Sequence, residues 1–162
     1  MKVAIIMGSK SDLEVVSKAA EALEQFGIEA EMRVMSAHRT PNEVMNFIAK
    51  AEENGFEAII AAAGKAAHLP GVIAAFTVLP VIGLPIKSSF MDGFDSLLSI
   101  VQMPSGIPVA TVAVNGGDNA GILAAQILSV KYPEVRERLK AFREKMRQDV
   151  VAADASIQGL RK

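Results

Sequence analysis

The chain has 162 residues, 51% of them hydrophobic and 22% charged, which suits one globular domain with a sizeable core. Its formal net charge of -1 supplies no global attraction for nucleic acid or an anionic membrane, so any phosphate has to be held locally. The absence of cysteine excludes disulfides, thiolate nucleophiles and Cys-based zinc sites, and two histidines argue against a histidine-built metal centre.

The first apolar run, residues 3–7, stops at Gly8; it is too short for a signal-peptide core and reads as a buried strand. No run approaches the ~20 apolar residues of a membrane span, so a cytoplasmic protein is expected. Residues 12–26 place Leu13, Val16, Ala20 and Leu23 on one helical face, and Gly27 supplies the stop. Residues 28–35 make a second strand, less apolar and so nearer an edge. Thr40-Pro41-Asn42-Glu43 then combines an N-cap threonine, a first-turn proline and a glutamate three residues on, predicting a helix to about Asn54 with Gly55 in a left-handed cap. Residues 57–62, 80–84 and 107–114 read as three more strands, with short helices near 70–77 and 93–102 between them. A small-residue helix follows over 119–130, and a charged amphipathic helix runs from Pro133 to about residue 158.

Alternating strands and helices predict an α/β fold: a three-layer, flavodoxin-like, doubly wound parallel sheet of five strands with an additional C-terminal helix, all within one domain spanning residues 1–162. That last helix carries Val135, Leu139, Phe142 and Met146 at helical spacing, then Val150, Val151 and Ala155. It comes after the five-stranded unit is already complete. It therefore packs either across its own domain or onto a neighbouring subunit, and the positive mean hydropathy of the chain favours the subunit.

In such sheets the ligand sits beyond the carboxyl ends of the strands. Four loops rich in small and polar residues fall there: Gly8-Ser9-Lys10-Ser11-Asp12, Ser36-Ala37-His38-Arg39, Gly64 to His68, and Lys87-Ser88-Ser89. In the first, the amides and dipole of a helix N-terminus attract phosphate and an aspartate suits ribose hydroxyls; equally, Ser11 or Asp12 is simply an N-cap. In the second, arginine suits phosphate and histidine can move a proton at neutral pH, although a plain helix start would leave both solvated. In the third, glycines and small residues allow a mobile segment close to a ligand, or just a tight connection in which His68 packs.

Together the segments GSKSD (8–12), SAHRTP (36–41), AGKAAHLPG (63–71), LPVIGLP (79–85), DGFDSLLSIVQMPSGIPVATVAV (92–114) and NAGILAAQIL (119–128) resemble the bacterial-type N5-carboxyaminoimidazole ribonucleotide mutases. The order and spacing agree to about residue 130. The resemblance implies an isomerase of purine biosynthesis that moves a carboxylate from nitrogen to carbon, without metal or other cofactor. It implies that Ser11, Ser36 and Arg39 face a phosphate, that Asp12 takes the ribose, and that His38 transfers the proton. Ser9, Ala37, Gly64, Lys65 and Ala66 complete the substrate site, and His68 and Leu69 belong to the loop over the carboxylate end. It also implies a homo-octamer with sites shared between subunits, and no nucleic-acid or membrane partner.

One departure stands out. The family usually has two adjacent glycines where this chain has Gly64-Lys65. A positive φ at Lys65 would cost roughly 1–2 kcal/mol of strain, and its ammonium would add a charge beside the carboxylate pocket. Three rivals remain: the related animal carboxylase that uses free carbon dioxide, which departs from AAHLPG; a non-catalytic nucleotide-binding module; and a flavin protein. One tyrosine and no tryptophan leave little surface to sandwich a flavin.

Overall fold

The structure, a computed structural model, describes residues 1–159; the last three residues of the expected domain lie outside the described residues. Five strands form one wholly parallel sheet: β1 (Lys2–Met7), β2 (Glu29–Val34), β3 (Ala58–Gly64), β4 (Val81–Ile86) and β5 (Ala110–Thr111). Their spatial order is β2-β1-β3-β4-β5. This is the flavodoxin-like order, in which the chain reverses direction across the sheet between β1 and β3.

The central strands are apolar along their whole length because both of their faces are covered. β4 is buried at every position, whereas edge strand β2 is buried at none. The period-2 alternation divides the side chains of β1 between two cores. Val3, Ile5 and Met7 join α1 (Leu13–Gln25) and α5 (Gly117–Leu128). Ala4 and Ile6 pack instead with α2 (Pro41–Ala49), α3 (Leu69–Ala74) and α4 (Phe94–Val101). The α1–α5 contact is close because a Cβ on Gly117 would lie 2.2 Å from the Val15 carbonyl oxygen, and one on Gly121 2.5 Å from that of Ala19. Only glycine fits at either position.

Local details differ from expectation in four places. The buried face of α1 is Val16, Ala19, Ala22 and Leu23, while Leu13 is 40% exposed and Ala20 only half-buried. The second helix ends at Ala49 rather than Asn54, where i→i-3 bonds from Lys50 and Ala51 tighten the chain and bring Ala51 and Phe56 into the core. Gly55 still takes the left-handed conformation that ends this turn, with φ 78°. Thr40 precedes the helix without capping it; its hydroxyl donates to the Ser36 carbonyl at 3.2 Å and accepts from the Ser36 amide at 2.9 Å.

The fourth difference is β5, which is two residues long instead of eight. Beyond it the Val112 amide bonds to the Gly83 carbonyl and the Asn115 amide to that of Pro85, so three residues of chain advance against two of β4. That extra residue breaks the ladder, and Asn115 absorbs it at φ 57°.

The C-terminal helix α6 (Pro133–Gly159) does two things along its length. Its start packs on its own domain: Val135 and Leu139 are buried, and the Phe142 ring meets Phe26 edge-on at 5.6 Å. Its remainder leaves Met146, Val150, Val151 and Ile157 exposed.

Candidate functional site

At the carboxyl ends of β1 and β3, where the strand order reverses, the loops enclose a cleft of about 450 Å³. Its walls are the turn after β1, the turn after β2 and the segment between β3 and α3. All twelve residues expected from the sequence line it: Ser9, Ser11, Asp12, Ser36, Ala37, His38, Arg39, Gly64, Lys65, Ala66, His68 and Leu69. Gly8, Lys87 and Ser88, from loops the sequence already set on this side of the sheet, line it as well, and the structure adds Ala63 and Ile86. Ala63 and Ile86 are buried strand residues, and no local pattern announces that they border the cleft.

The first loop makes a single 3-10 turn, Lys10–Asp12, capped by Ser9, whose hydroxyl accepts from the Ser11 amide at 3.3 Å. Asp12 stands at the start of α1 but makes no side-chain cap bond. Asp12 is 8% exposed, and its carboxylate accepts from the Ser11 hydroxyl at 2.9 Å. Burial pushes its pKa upward, against the opposing pull of the Ser11 hydroxyl, the Ser9 backbone and the Arg39 charge. Neither Ser11 nor Asp12 is therefore consumed as an ordinary N-cap, and both polar groups border the cleft.

The second loop is held by its own hydrogen bonds. The Ser36 hydroxyl accepts from the amides of His38 and Arg39 at 3.3 and 3.2 Å, and Thr40 closes the turn from below. Arg39 Nη2 donates to the Gly8 carbonyl at 2.7 Å, tying this loop to the end of β1. The other guanidinium N–H groups have no acceptor among the described residues.

The third loop brings His68 to His38. The His38 Nε2 and His68 Nδ1 atoms are 2.7 Å apart, with the rings inclined at 74°. Such a contact holds one proton between its facing nitrogens, with one ring donating and the other accepting. Lys65 begins the loop at φ 57°, the left-handed conformation that glycine adopts without cost. Ala67 and Leu69 anchor the segment in the core, while Lys65, Ala66 and His68 are exposed to the cleft.

A serine-lined cleft with arginine, lysine and paired imidazoles, set at the strand-order reversal of a 2-1-3-4-5 sheet, defines a doubly wound α/β protein with an anion-seeking ligand site. Comparison makes the assignment particular: the chain belongs to the AIR carboxylase family, whose sequence model matches residues 2–149. It is 57% identical over 150 residues to the N5-carboxyaminoimidazole ribonucleotide mutase of Thermotoga maritima, covering 93% of this chain and 88% of that protein. It is 61% identical over 146 residues to the enzyme of the same name from Pyrococcus abyssi, covering 90% and 84%. The crystal structure of Treponema denticola PurE superposes with a TM-score of 0.88 at 33% identity, covering 96% of this chain and 97% of that one.

Proposed function

We propose that the protein is a mutase of purine biosynthesis that converts N5-carboxyaminoimidazole ribonucleotide into 4-carboxy-5-aminoimidazole ribonucleotide. The observation that carries this is the pairing of His38 with His68 across a cleft that also gathers a serine-rich helix start and an arginine. The relatives named for this reaction support it.

In this reading, Ser11, Ser36 and Arg39 hold the phosphate, with Ser9 beside them and the N-terminal dipole of α1 adding to the attraction. Asp12, free of capping, takes the ribose hydroxyls. The N-carboxylate loses carbon dioxide as its C–N bond breaks, and the nitrogen takes a proton. The ring carbon then attacks the retained carbon dioxide, and the proton on that carbon leaves. One proton goes in and one comes out, so a single acid–base group suffices, and in this reading His38 serves as both. Its contact with His68 keeps the second imidazole at hand without a second proton between the facing nitrogens. Ala37, Gly64, Lys65, Ala66 and Leu69 enclose the reacting end, where holding a small neutral molecule against a nucleophilic carbon is catalysis by proximity and water exclusion.

The protein acts in the cytoplasm as a homo-octamer whose sites are completed by neighbouring subunits. Two bare apolar surfaces support association: Phe94, Leu98 and Val101 on α4, and Met146, Val150 and Val151 on α6. No helix among the described residues is long and apolar enough to cross a membrane.

The test supplies N5-carboxyaminoimidazole ribonucleotide without bicarbonate, beside a sample of aminoimidazole ribonucleotide with bicarbonate. C-carboxylated product from the first alone is expected. Equal product from the second would make the protein a carboxylase, and product from neither would reduce it to a binding relative.

A further inference from the structure

The cations at the cleft are not in equivalent situations. Arg39 is tied to the Gly8 carbonyl and stands on the lip formed by the serine loops. Lys87 is paired with Asp92 at 3.1 Å. Lys65, on the opposite lip, has no ion-pair or hydrogen-bond partner among the described residues, although it lines the cleft. Among the described residues the only carboxylate lining the cleft is that of Asp12, which is engaged with Ser11. Lys65 thus lines a cleft that offers it no free acidic neighbour among the described residues.

Its placement is fixed by the surrounding chain. The Gly64 position packs so closely that an added Cβ would lie 3.3 Å from the Ile86 carbonyl oxygen. On the other side Ala67 is fully buried, and the His68 amide bonds to the Ala66 carbonyl at 2.9 Å. Lys65 is held between these anchors at φ 57°, a conformation that disfavours any residue with a Cβ. Strain that persists between rigid neighbours points to a functional demand. The loop also carries His68, whose ring reaches His38, so Lys65 lines the cleft from the same loop as one of the paired imidazoles.

We infer that Lys65 determines specificity: its ammonium holds the carboxylate of a carboxylated ribonucleotide and so selects that ligand over the same nucleotide lacking the group. This rests on the function proposed above and deepens it. Arg39 answers the phosphate at one end of the ligand, and Lys65 the second anionic group at the other. Substrate and product both carry the carboxylate, whereas carbon dioxide between them is neutral. Lys65 therefore stabilises both ends of the reaction more than its middle, and its contribution is to affinity and selection rather than to acceleration.

The experiment is calorimetric titration of the intact protein, Lys65→Asn and Lys65→Arg with 4-carboxy-5-aminoimidazole ribonucleotide and with aminoimidazole ribonucleotide. Asparagine tolerates the left-handed conformation but has no charge, while arginine restores the charge. Lys65→Asn is expected to weaken binding of the carboxylated nucleotide about tenfold, equivalent to ~1.4 kcal/mol, and that of the other less than twofold. Lys65→Arg should keep most of the preference, and added salt should erode it in the wild type but not in Lys65→Asn. An unchanged ratio in Lys65→Asn, or equal loss in both variants, would overturn the inference. A wild type that binds neither nucleotide would overturn the proposed function instead.

Discussion

At the amino ends of the strands the charges are matched, and at the carboxyl ends, the Lys87–Asp92 pair aside, they are left open. Glu57, just before β3, accepts from Lys131 Nζ and from the Tyr132 hydroxyl, each at 2.7 Å, with the chain's amino group 3.8 Å away. Burial alone would raise the pKa of this carboxyl, but the two donors outweigh burial and hold it below the usual range. At the other end, Asp12 is left with a raised pKa, and among the described residues Arg39 has unused donors and Lys65, with its left-handed backbone, has no partner. The matched end ties the α5–α6 junction to the sheet and serves stability. The open end gives up some stability to keep polar groups available for a ligand.

Three substitutions test this contrast, and the largest effect belongs to the open end. His38→Asn should lower turnover by roughly 10²–10⁴-fold, the usual contribution of a positioned acid–base group, while the unfolding transition moves little. An activity loss below tenfold would place the proton transfer elsewhere.

Next comes the matched end. Glu57→Gln should destabilise the fold by about 1–2 kcal/mol, read from urea unfolding at neutral pH, with activity per folded molecule retained. The sign with pH follows from the lowered pKa: the Glu57 contribution is fully present above the unfolded value of about 4.3 and is lost as pH falls through the lower folded value. The two proteins should therefore converge in stability toward strongly acidic pH.

The smallest effect runs the other way. Asp12 has its folded pKa raised by burial, so the folded state binds its proton more tightly, and stability falls as pH climbs from the unfolded value through the folded one. Asp12→Asn removes that loss and keeps an acceptor for the Ser11 hydroxyl. A slightly higher Tm at pH 7, together with weaker ribonucleotide binding in the same sample, is the expected result. A lower Tm would mean that the carboxylate is more than a ligand group.

The central sheet was legible because its strands are buried on two faces, which turns β1, β3 and β4 into unbroken apolar runs. Residues 107–114 show the limit: an alternating sequence reads as a strand, but strand length depends on whether the partner keeps step, and Val112 to Asn115 does not keep step with β4. Thr40 misled in a similar way. A capping hydroxyl and one that closes a turn on Ser36 have the same local sequence, and the choice is made by the preceding loop. The site loops were legible from their position after strands and from their residue types. The His38–His68 contact was not, because 30 residues separate the two rings and only the meeting of two loops at the sheet edge brings them together. Lys65 lay between these cases: the sequence supplied the condition, a non-glycine where a glycine is usual, and the structure supplied its φ of 57°.

The glycine contact between α1 and α5 sets a timetable for a chain emerging from the ribosome. The side of α1 that meets α5, complete by Gln25, lacks that cover until Gly117–Leu128 has been made, about a hundred residues later. At synthesis rates of ~5–20 residues per second, Ala19 and Ala22 wait on the order of 5–20 s before their α5 partner exists. During that interval the first half of the nascent protein presents a bare apolar stripe, which makes it a natural client for whatever chaperone waits at the tunnel exit.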